Sequence, residues 1–243
     1  MTIFGTPRRH VAQCGSTNDV AREWSRDPDN PASSGALVTA DFQSRGRGQR
    51  GRQWQAGWGQ SALMSFVYHL PPAVEAAQLG LVAALAVMDG LKSAALSPRL
   101  KWPNDVLLNG RKVAGVLVEI TPPAPMKPDS GGAILGIGIN VNQEWFLGAK
   151  EFVYPPTSLS MATGKPHEVQ RVISAVAQAL TKWEGQWRLD GFAPILEECR
   201  DRLALGVAVR QGDLTGELVG LAPTGAAQVH LPGGTFEEWG TVD

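Results

Sequence analysis

Between two β-rich runs, Leu100–Leu108 and Lys112–Ile120, stands the pair Asn109-Gly110. These residues tolerate the positive φ angles of a two-residue hairpin turn, so the runs are expected to be two strands pairing antiparallel in a defined register. Around this hairpin, strand-like and helix-like patterns alternate. His10–Cys14, Ala36–Asp41, Ser61–Leu70 and Ala133–Val141 read as strands from their apolar and β-branched content. Ser16-Thr17-Asn18-Asp19 offers N-cap groups for a helix continuing through Val20–Trp24. Ala73–Ala95 carries Val74, Ala77, Leu81, Leu85 and Met88 three and four apart, which predicts a helix packed on the sheet. Glu168–Trp187 shows the same period, and Phe192–Leu205 is expected to form one more helix. Thr121–Gly132, rich in proline, reads as a surface excursion. From Val207 to Val242 the chain turns to short alternating runs punctuated by glycine, which predicts a small all-β unit that needs a neighbour to be stable.

Composition bounds the function. The 243 residues are 43% hydrophobic and 19% charged, with a net charge of −1. Such a chain buries a substantial core, and its surface as a whole is not built to hold nucleic acid or an anionic membrane. The opening Met1–His10 has no apolar stretch of signal-peptide length, and no run is long enough to span a bilayer, which points to the cytoplasm. Cys14 and Cys199 are far apart and the four histidines are scattered, so the cysteines read as free thiols and no structural zinc site is expected.

Three segments carry chemistry. Gln43–Trp54 holds four arginines and three glycines between two strands. Glycine lets backbone N–H groups close around an anion and arginine offers a planar fork to phosphate oxygens, so this is either a phosphate lid or a solvated basic or RNA-binding loop. Lys101-Trp102-Pro103-Asn104-Asp105 fixes a lysine beside a Trp-Pro pair, which suits a point charge aimed at a phosphate or carboxylate, though an ordinary strand-end lysine reads the same. In that motif Asp105 braces the turn. Gly136-Ile137-Gly138-Ile139-Asn140 lies in an apolar strand whose glycines allow close approach of a ligand or another backbone. It lacks the third glycine and following helix of a dinucleotide fingerprint, so a Rossmann fold is excluded.

In this order, S-T-N at Ser16–Asn18, GRGxRG at Gly46–Gly51, KWPND at Lys101–Asp105, K-x-A-G at Lys112–Gly115 and GxGIN at Gly136–Asn140 resemble the biotin protein ligase family. The resemblance covers Val11 to about Asn142 well and implies an α/β (α+β) fold: a mixed sheet flanked by helices, related to lipoate ligases and class II aminoacyl-tRNA synthetases. It implies a catalytic domain over 1–205 and an SH3-like C-terminal β-barrel over 206–243. It also implies that ATP and biotin, with Mg²⁺, give biotinyl-5′-AMP, and that the biotinyl group passes to a lysine of a carboxylase's biotin carboxyl carrier domain. Arg47 and Lys101 are then the catalytic cations. Biotin is expected to meet Ser16, Thr17, Asn18, Gln43, Gly46, Arg47, Gly48, Gln49 and Lys101, with Gly115, Gly136 and Gly138 making room for its bicycle. The nucleotide is expected at Arg47, Arg50, Trp54, Lys101, Asn104, Lys112 and Asn140, with Trp54 equally readable as core. At Gln49 some family members carry an arginine that helps retain the adenylate.

Rival readings are lipoate or octanoate ligation on the same fold, nucleic-acid binding through Arg45–Arg52, and an adenylate-binding relative that has lost transfer. Only 15 residues precede Ser16, too few for the DNA-binding domain of bifunctional relatives, so a monofunctional ligase is expected. Relatives often dimerise through sheet edges, which makes a homodimer an open expectation.

Overall fold

The computed structural model describes residues 2–69, 76–92, 96–122, 132–146 and 154–240. Its centre is a seven-stranded sheet in the order β1-β2-β3-β7-β6-β5-β4, built from β1 (Arg8–Cys14), β2 (Leu37–Gln43), β3 (Ser61–His69), β4 (Arg99–Lys101), β5 (Asp105–Leu108), β6 (Arg111–Thr121) and β7 (Gly132–Asn140). β1 and β2 run parallel and the remaining neighbours antiparallel, so the sheet is mixed.

Side-chain alternation gives the sheet two different faces. On one, Leu37, Met64, Phe66, Leu135 and Ile137 pack with helix α2 (Ala76–Leu91) in the main core. Helix α4 (Val169–Asp190) covers α2 from outside, so α2 is buried all round and its sequence is almost wholly apolar. On the other face, helix α1 (Thr17–Ser25) packs Ala21 and Trp24 against Val38, Val67 and Ile134. α1 is short and leaves part of that face uncovered by helix. Ser16 caps α1, its Oγ accepting from the Asn18 N–H, so the helix begins earlier than the Val20 predicted.

Two expectations fail locally. The predicted strand Leu100–Leu108 is broken at Trp102-Pro103-Asn104: proline has no N–H to extend a ladder, and the two halves fold back on each other as β4 and β5. The predicted helix Phe192–Leu205 stops as α5 (Phe192–Asp201), after which Arg202 O and the Ala204 N–H bond to the backbone of Leu100 at the sheet edge. A short helix, α3 (Leu159–Thr163), was not expected. Val74, in the predicted Ala73–Ala95 helix, and most of the Thr121–Gly132 excursion lie outside the described residues. Asn109 and Gly110 turn the hairpin at φ 50° and 72° as predicted. Its register, however, carries a bulge: Val106 pairs with Ala114 but Leu107 with Lys112, leaving Val113 extra on β6.

The C-terminal segment forms a four-stranded antiparallel sheet, β8 (Ala208–Gln211), β9 (Leu214–Leu221), β10 (Ala227–His230) and β11 (Phe236–Trp239), which fits a small SH3-like domain. It does not stand alone. Leu218, Leu221, Val229 and Trp239 belong to the same apolar core as α2, and Trp102 Nε1 donates to Gly225 O at 3.0 Å. Cys14 and Cys199 are unbridged, and burial pushes the Cys199 thiol up to about 12.

Candidate active site

The site lies on the α1 face of the sheet, and strand register assembles it. Lys101 pairs with Asp105, Asp105 with Gly115, Gly115 with Gly138 and Gly138 with Leu63, so five strands contribute one cross-sheet row. Directly opposed residues share a face, which puts the cationic end of the row at Lys101 and its open middle at the two glycines. The Val113 bulge adds a second cation. Lys112 and Gly115 are three residues apart and would face opposite ways in a regular strand. The extra residue turns Lys112 onto the face of Gly115, with Nζ 3.4 Å from where a Gly115 Cβ would stand.

The two lysines share one carboxylate. Asp105 Oδ1 is 2.6 Å from Lys112 Nζ, and Oδ2 is 3.5 Å from Lys101 Nζ. Lys101 also lies 4.8 Å from the centre of the Tyr154 ring. Burial holds the Lys101 amine below the usual lysine value; nearby Asp105 opposes that shift and Lys112 adds to it. Asp105, read as a turn brace, is therefore the counter-ion that lets two ammonium groups stand side by side.

The Arg/Gly loop is folded. Arg47 forms an antiparallel bridge with Gln53, Gly48 N–H donates to Arg52 O at 2.7 Å and Trp54 N–H to Gly46 O at 2.9 Å. Arg50 sits at φ 57° at the tip, exposed, with Nη1 3.5 Å from Arg210 O of β8. Gly48 and Gln49 flank it half-buried. Arg47 does not reach the lysines. Its guanidinium grips Asp19 with both nitrogens (2.8 and 2.7 Å) and touches Glu119 at 3.3 Å, while Arg22 bonds the same two carboxylates. Hydrogen bonds from Arg47 above all hold the Asp19 carboxyl below its usual range, and Asp19 in turn raises the Arg47 guanidinium. Local sequence gives no sign that α1 and β6 bring two carboxylates, Asp19 and Glu119, against this guanidinium.

Side chains cover the glycine row. A Cβ on Gly138 would stand 2.5 Å from Trp54 Cε2 and one on Gly115 3.2 Å from Trp54 Cζ3. Over Gly136 the room is taken by the Asn18 amide. Trp54 thus lies flat on the glycine row, with its Nε1 buried and lacking a partner among the described residues.

At the other end of the site, polar groups satisfy one another. Gln43 Oε1 accepts from Thr17 N–H (2.7 Å) and Oγ1 (2.9 Å), Ser65 Oγ lies 2.7 Å from Thr17 Oγ1 and 2.5 Å from Asn18 Oδ1, and Asn18 Nδ2 donates to Glu119 at 2.7 Å. Ser16, Thr17 and Asn18 are all buried. The amides of Asn104 and Asn140, expected at a nucleotide, each donate to backbone: Asn104 Nδ2 to Val116 O at 2.7 Å and Asn140 Nδ2 to Thr157 O at 2.9 Å. Ser65, Asp19, Glu119 and Tyr154 were missed. Only Glu119, a lone acid in an apolar strand, carried a signal.

A family model for the biotin/lipoate A/B protein ligase family matches residues 11–140, more than half of the 243-residue chain, and the chain belongs to that family. The biotin–[acetyl-CoA-carboxylase] ligase of Paracoccus denitrificans is 37% identical over 232 residues, covering 93% of this chain and 88% of the relative. The bifunctional ligase/repressor BirA of Bacillus subtilis is 36% identical over 211 residues, which cover 85% of this chain but only 63% of BirA. Among solved structures, biotin protein ligase from Aquifex aeolicus in complex with biotin and ATP matches with a TM-score of 0.78 at 30% identity, covering 96% of this chain and 95% of that one.

Proposed function

We propose that the chain is an ATP-dependent biotin protein ligase, with a catalytic body over 1–205 and an accessory sheet over 206–243. It forms biotinyl-5′-AMP and passes the biotinyl group to one lysine of a biotin carboxyl carrier domain. The observation that carries this reading is the paired Lys101 and Lys112 ammonium groups at the end of a glycine row roofed by Trp54. The names of the relatives and the Aquifex complex with biotin and ATP support it.

In the first step a biotin carboxylate oxygen attacks the α-phosphorus of ATP, and the bond to pyrophosphate breaks. Two anions must meet, and Lys101 and Lys112 supply the positive field in which that becomes favourable. Arg47 acts through position: anchored on Asp19 and Glu119, it fixes the base of the loop whose Trp54 covers the row. Ligand entry displaces Trp54 from Gly115 and Gly138, and its unpaired indole N–H then gains a partner. Gly46, Gly48 and Gln49 contribute the loop's share of the cover, and Arg50 at the exposed tip is placed for the outer phosphates. Ser16, Thr17, Asn18 and Gln43 orient the ureido ring by exchanging mutual hydrogen bonds for ligand ones. In the second step the acceptor amine attacks the acyl carbon of the mixed anhydride, AMP leaves, and the amine gives up a proton. The closed loop keeps water from the adenylate until then.

Among the described residues no group of three His, Cys, Asp or Glu side chains is placed to hold a metal ion. Asp105, Asp19 and Glu119 are each ion-paired. The described residues thus form no all-protein cage for Mg²⁺, an ion held chiefly by substrate phosphates, waters and one or two carboxylates, and no step is routed through it. No described helix is long and apolar enough to cross a membrane.

The deciding experiment incubates the protein with ATP, biotin and a carrier domain and follows the carrier by mass spectrometry. Biotin attached to one lysine is expected. Attachment of lipoate, but not of biotin, under matched conditions overturns the reading.

A further inference from the structure

Tyr154 belongs to none of the motifs, yet it touches the cationic end of the site. It lies at one end of the described segment 154–158, which pairs in parallel with β6 at Lys112. Lys112 N–H donates to Pro155 O at 3.0 Å, Thr157 N–H to Lys112 O at 2.8 Å and the Arg111 guanidinium to Pro156 O at 3.0 Å. Asn140 ties this segment to β7 through Thr157 O at 2.9 Å. The backbone following Tyr154 is therefore tied to the strands that carry Lys112 and Asn140.

From this anchored start the Tyr154 side chain makes two directed contacts. Its ring centre is 4.8 Å from Lys101 Nζ, and its hydroxyl donates to Ala208 O of β8 at 3.1 Å. We infer that Tyr154 is a positioning residue for adenylation: its ring face holds the Lys101 ammonium toward Asp105, and its hydroxyl takes its own position from the C-terminal sheet. A lysine stem is flexible, and a lone carboxylate 3.5 Å away, shared with Lys112, leaves its head several arrangements. An aromatic face on the second side narrows these to one, because the ring quadrupole attracts the cation from a fixed direction. The neighbouring residue repeats the tie: Trp102 Nε1 donates to Gly225 O at 3.0 Å. Lys101 is thus fixed to the C-terminal sheet twice, through its backbone neighbour and through its side-chain partner. This gives the accessory sheet a part in the chemistry without lending it a reacting group.

The inference rests on the reading of Lys101 as an adenylation cation, and the test separates the two. Biotin-dependent ATP–pyrophosphate exchange is measured from pH 7 to 10 on the full chain with Y154F, Y154M and Y154L, alongside thermal midpoints. The charged groups bearing on Lys101 are Asp105, Lys112 and Arg52, and all stay in place in each variant. Y154F keeps the ring and is expected to hold the alkaline limb of the wild type while losing about threefold in kcat. Y154M and Y154L remove the ring and are expected to lose about tenfold in kcat, with KM changed less. Their alkaline limb moves to lower pH, because nothing but Asp105 then favours the charged amine. If Y154L fails to fold, Y154M, closer in reach to the ring, carries this arm. A wild-type pH limb and kcat in a folded ring-less variant overturns the inference alone. Wild-type protein without biotin-dependent exchange overturns the functional reading and this inference with it.

Discussion

The Asp105 carboxylate stands 2.6 Å from Lys112 while its second oxygen faces Lys101, so one acid pairs with two cations that local sequence places eleven residues apart and leaves the group net positive. Removing it leaves the two ammonium groups facing each other in a site largely shielded from water. Asp105→Asn is expected to lower stability by about 3 kcal/mol, read as a shift in urea midpoint at unchanged m-value. It is also expected to depress exchange more than tenfold. Wild-type stability in this variant would show that solvent screens the pair.

Lys112 stands nearer the glycine row than Lys101 does, since its ammonium lies over Gly115 and 5.7 Å from the Trp54 ring. Lys112→Ala is therefore expected to cost at least as much exchange activity as Lys101→Ala, each by about a hundredfold or more. Arg47→Ala is expected to lose activity by a different route, loosening the loop so that trypsin cuts faster at Arg45, Arg50 and Arg52. Equal trypsin rates in Arg47→Ala and wild type would remove its anchoring role.

Trp54 on Gly138 makes a steric prediction with a built-in control. Gly138→Ala sets a methyl 2.5 Å from the indole, so the ring must leave its seat. A cost of about 1–3 kcal/mol is expected, with weakened biotin binding by calorimetry. Adding Trp54→Ala is expected to recover the stability loss, because the clash partner is gone; additive losses in the double variant contradict the stacking.

The Asp19–Arg47 pair gives a pH dependence. The folded Asp19 carboxyl is held below its usual value by Arg47 and then Arg22. Its contribution is present above the unfolded Asp value of about 3.9 and is lost as pH falls through the lower folded value. The Tm gap between wild type and Asp19→Asn is thus expected to be full near neutrality and to close in strong acid. A gap that is constant with pH contradicts the linkage.

Gln49 sits half-buried beside the exposed loop tip, with an amide where the motif resemblance implies an arginine in some family members. Gln49→Arg restores a charge-assisted contact of about 1.5–3 kcal/mol, so biotinyl-5′-AMP is expected to leave about tenfold or more slowly in a filter-binding chase. Biotin plus ATP is also expected to protect the Arg45–Trp54 loop from trypsin in the parent protein.

Much of this was readable in one dimension, because the physics involved is local. The Asn109-Gly110 turn, the Ser16 cap and the helical periods each depend on residues within one or two turns of chain. Pro103 had the same kind of signal, an absent N–H, and it was overridden by the β-propensity of the run around it. Tyr154 and Ser65 carried no signal, since what matters about each is a partner dozens of residues away.

The ordered motifs were enough for the family and the apolar periods for the strand and helix types, because residue type and short spacing encode both; the same motifs carried the expectation of anion-binding chemistry. Tertiary structure decided which groups remain available for that chemistry. Gly115, Gly138, Asp105 and Lys101 form one row only through strand register, and a single extra residue at Val113 puts Lys112 on the same face. Arg47, the most suggestive cation in the sequence, is matched by Asp19 and Glu119 from elements that only the fold brings together. Charge and register are pairwise properties, and distant residues become pairs only when the sheet closes.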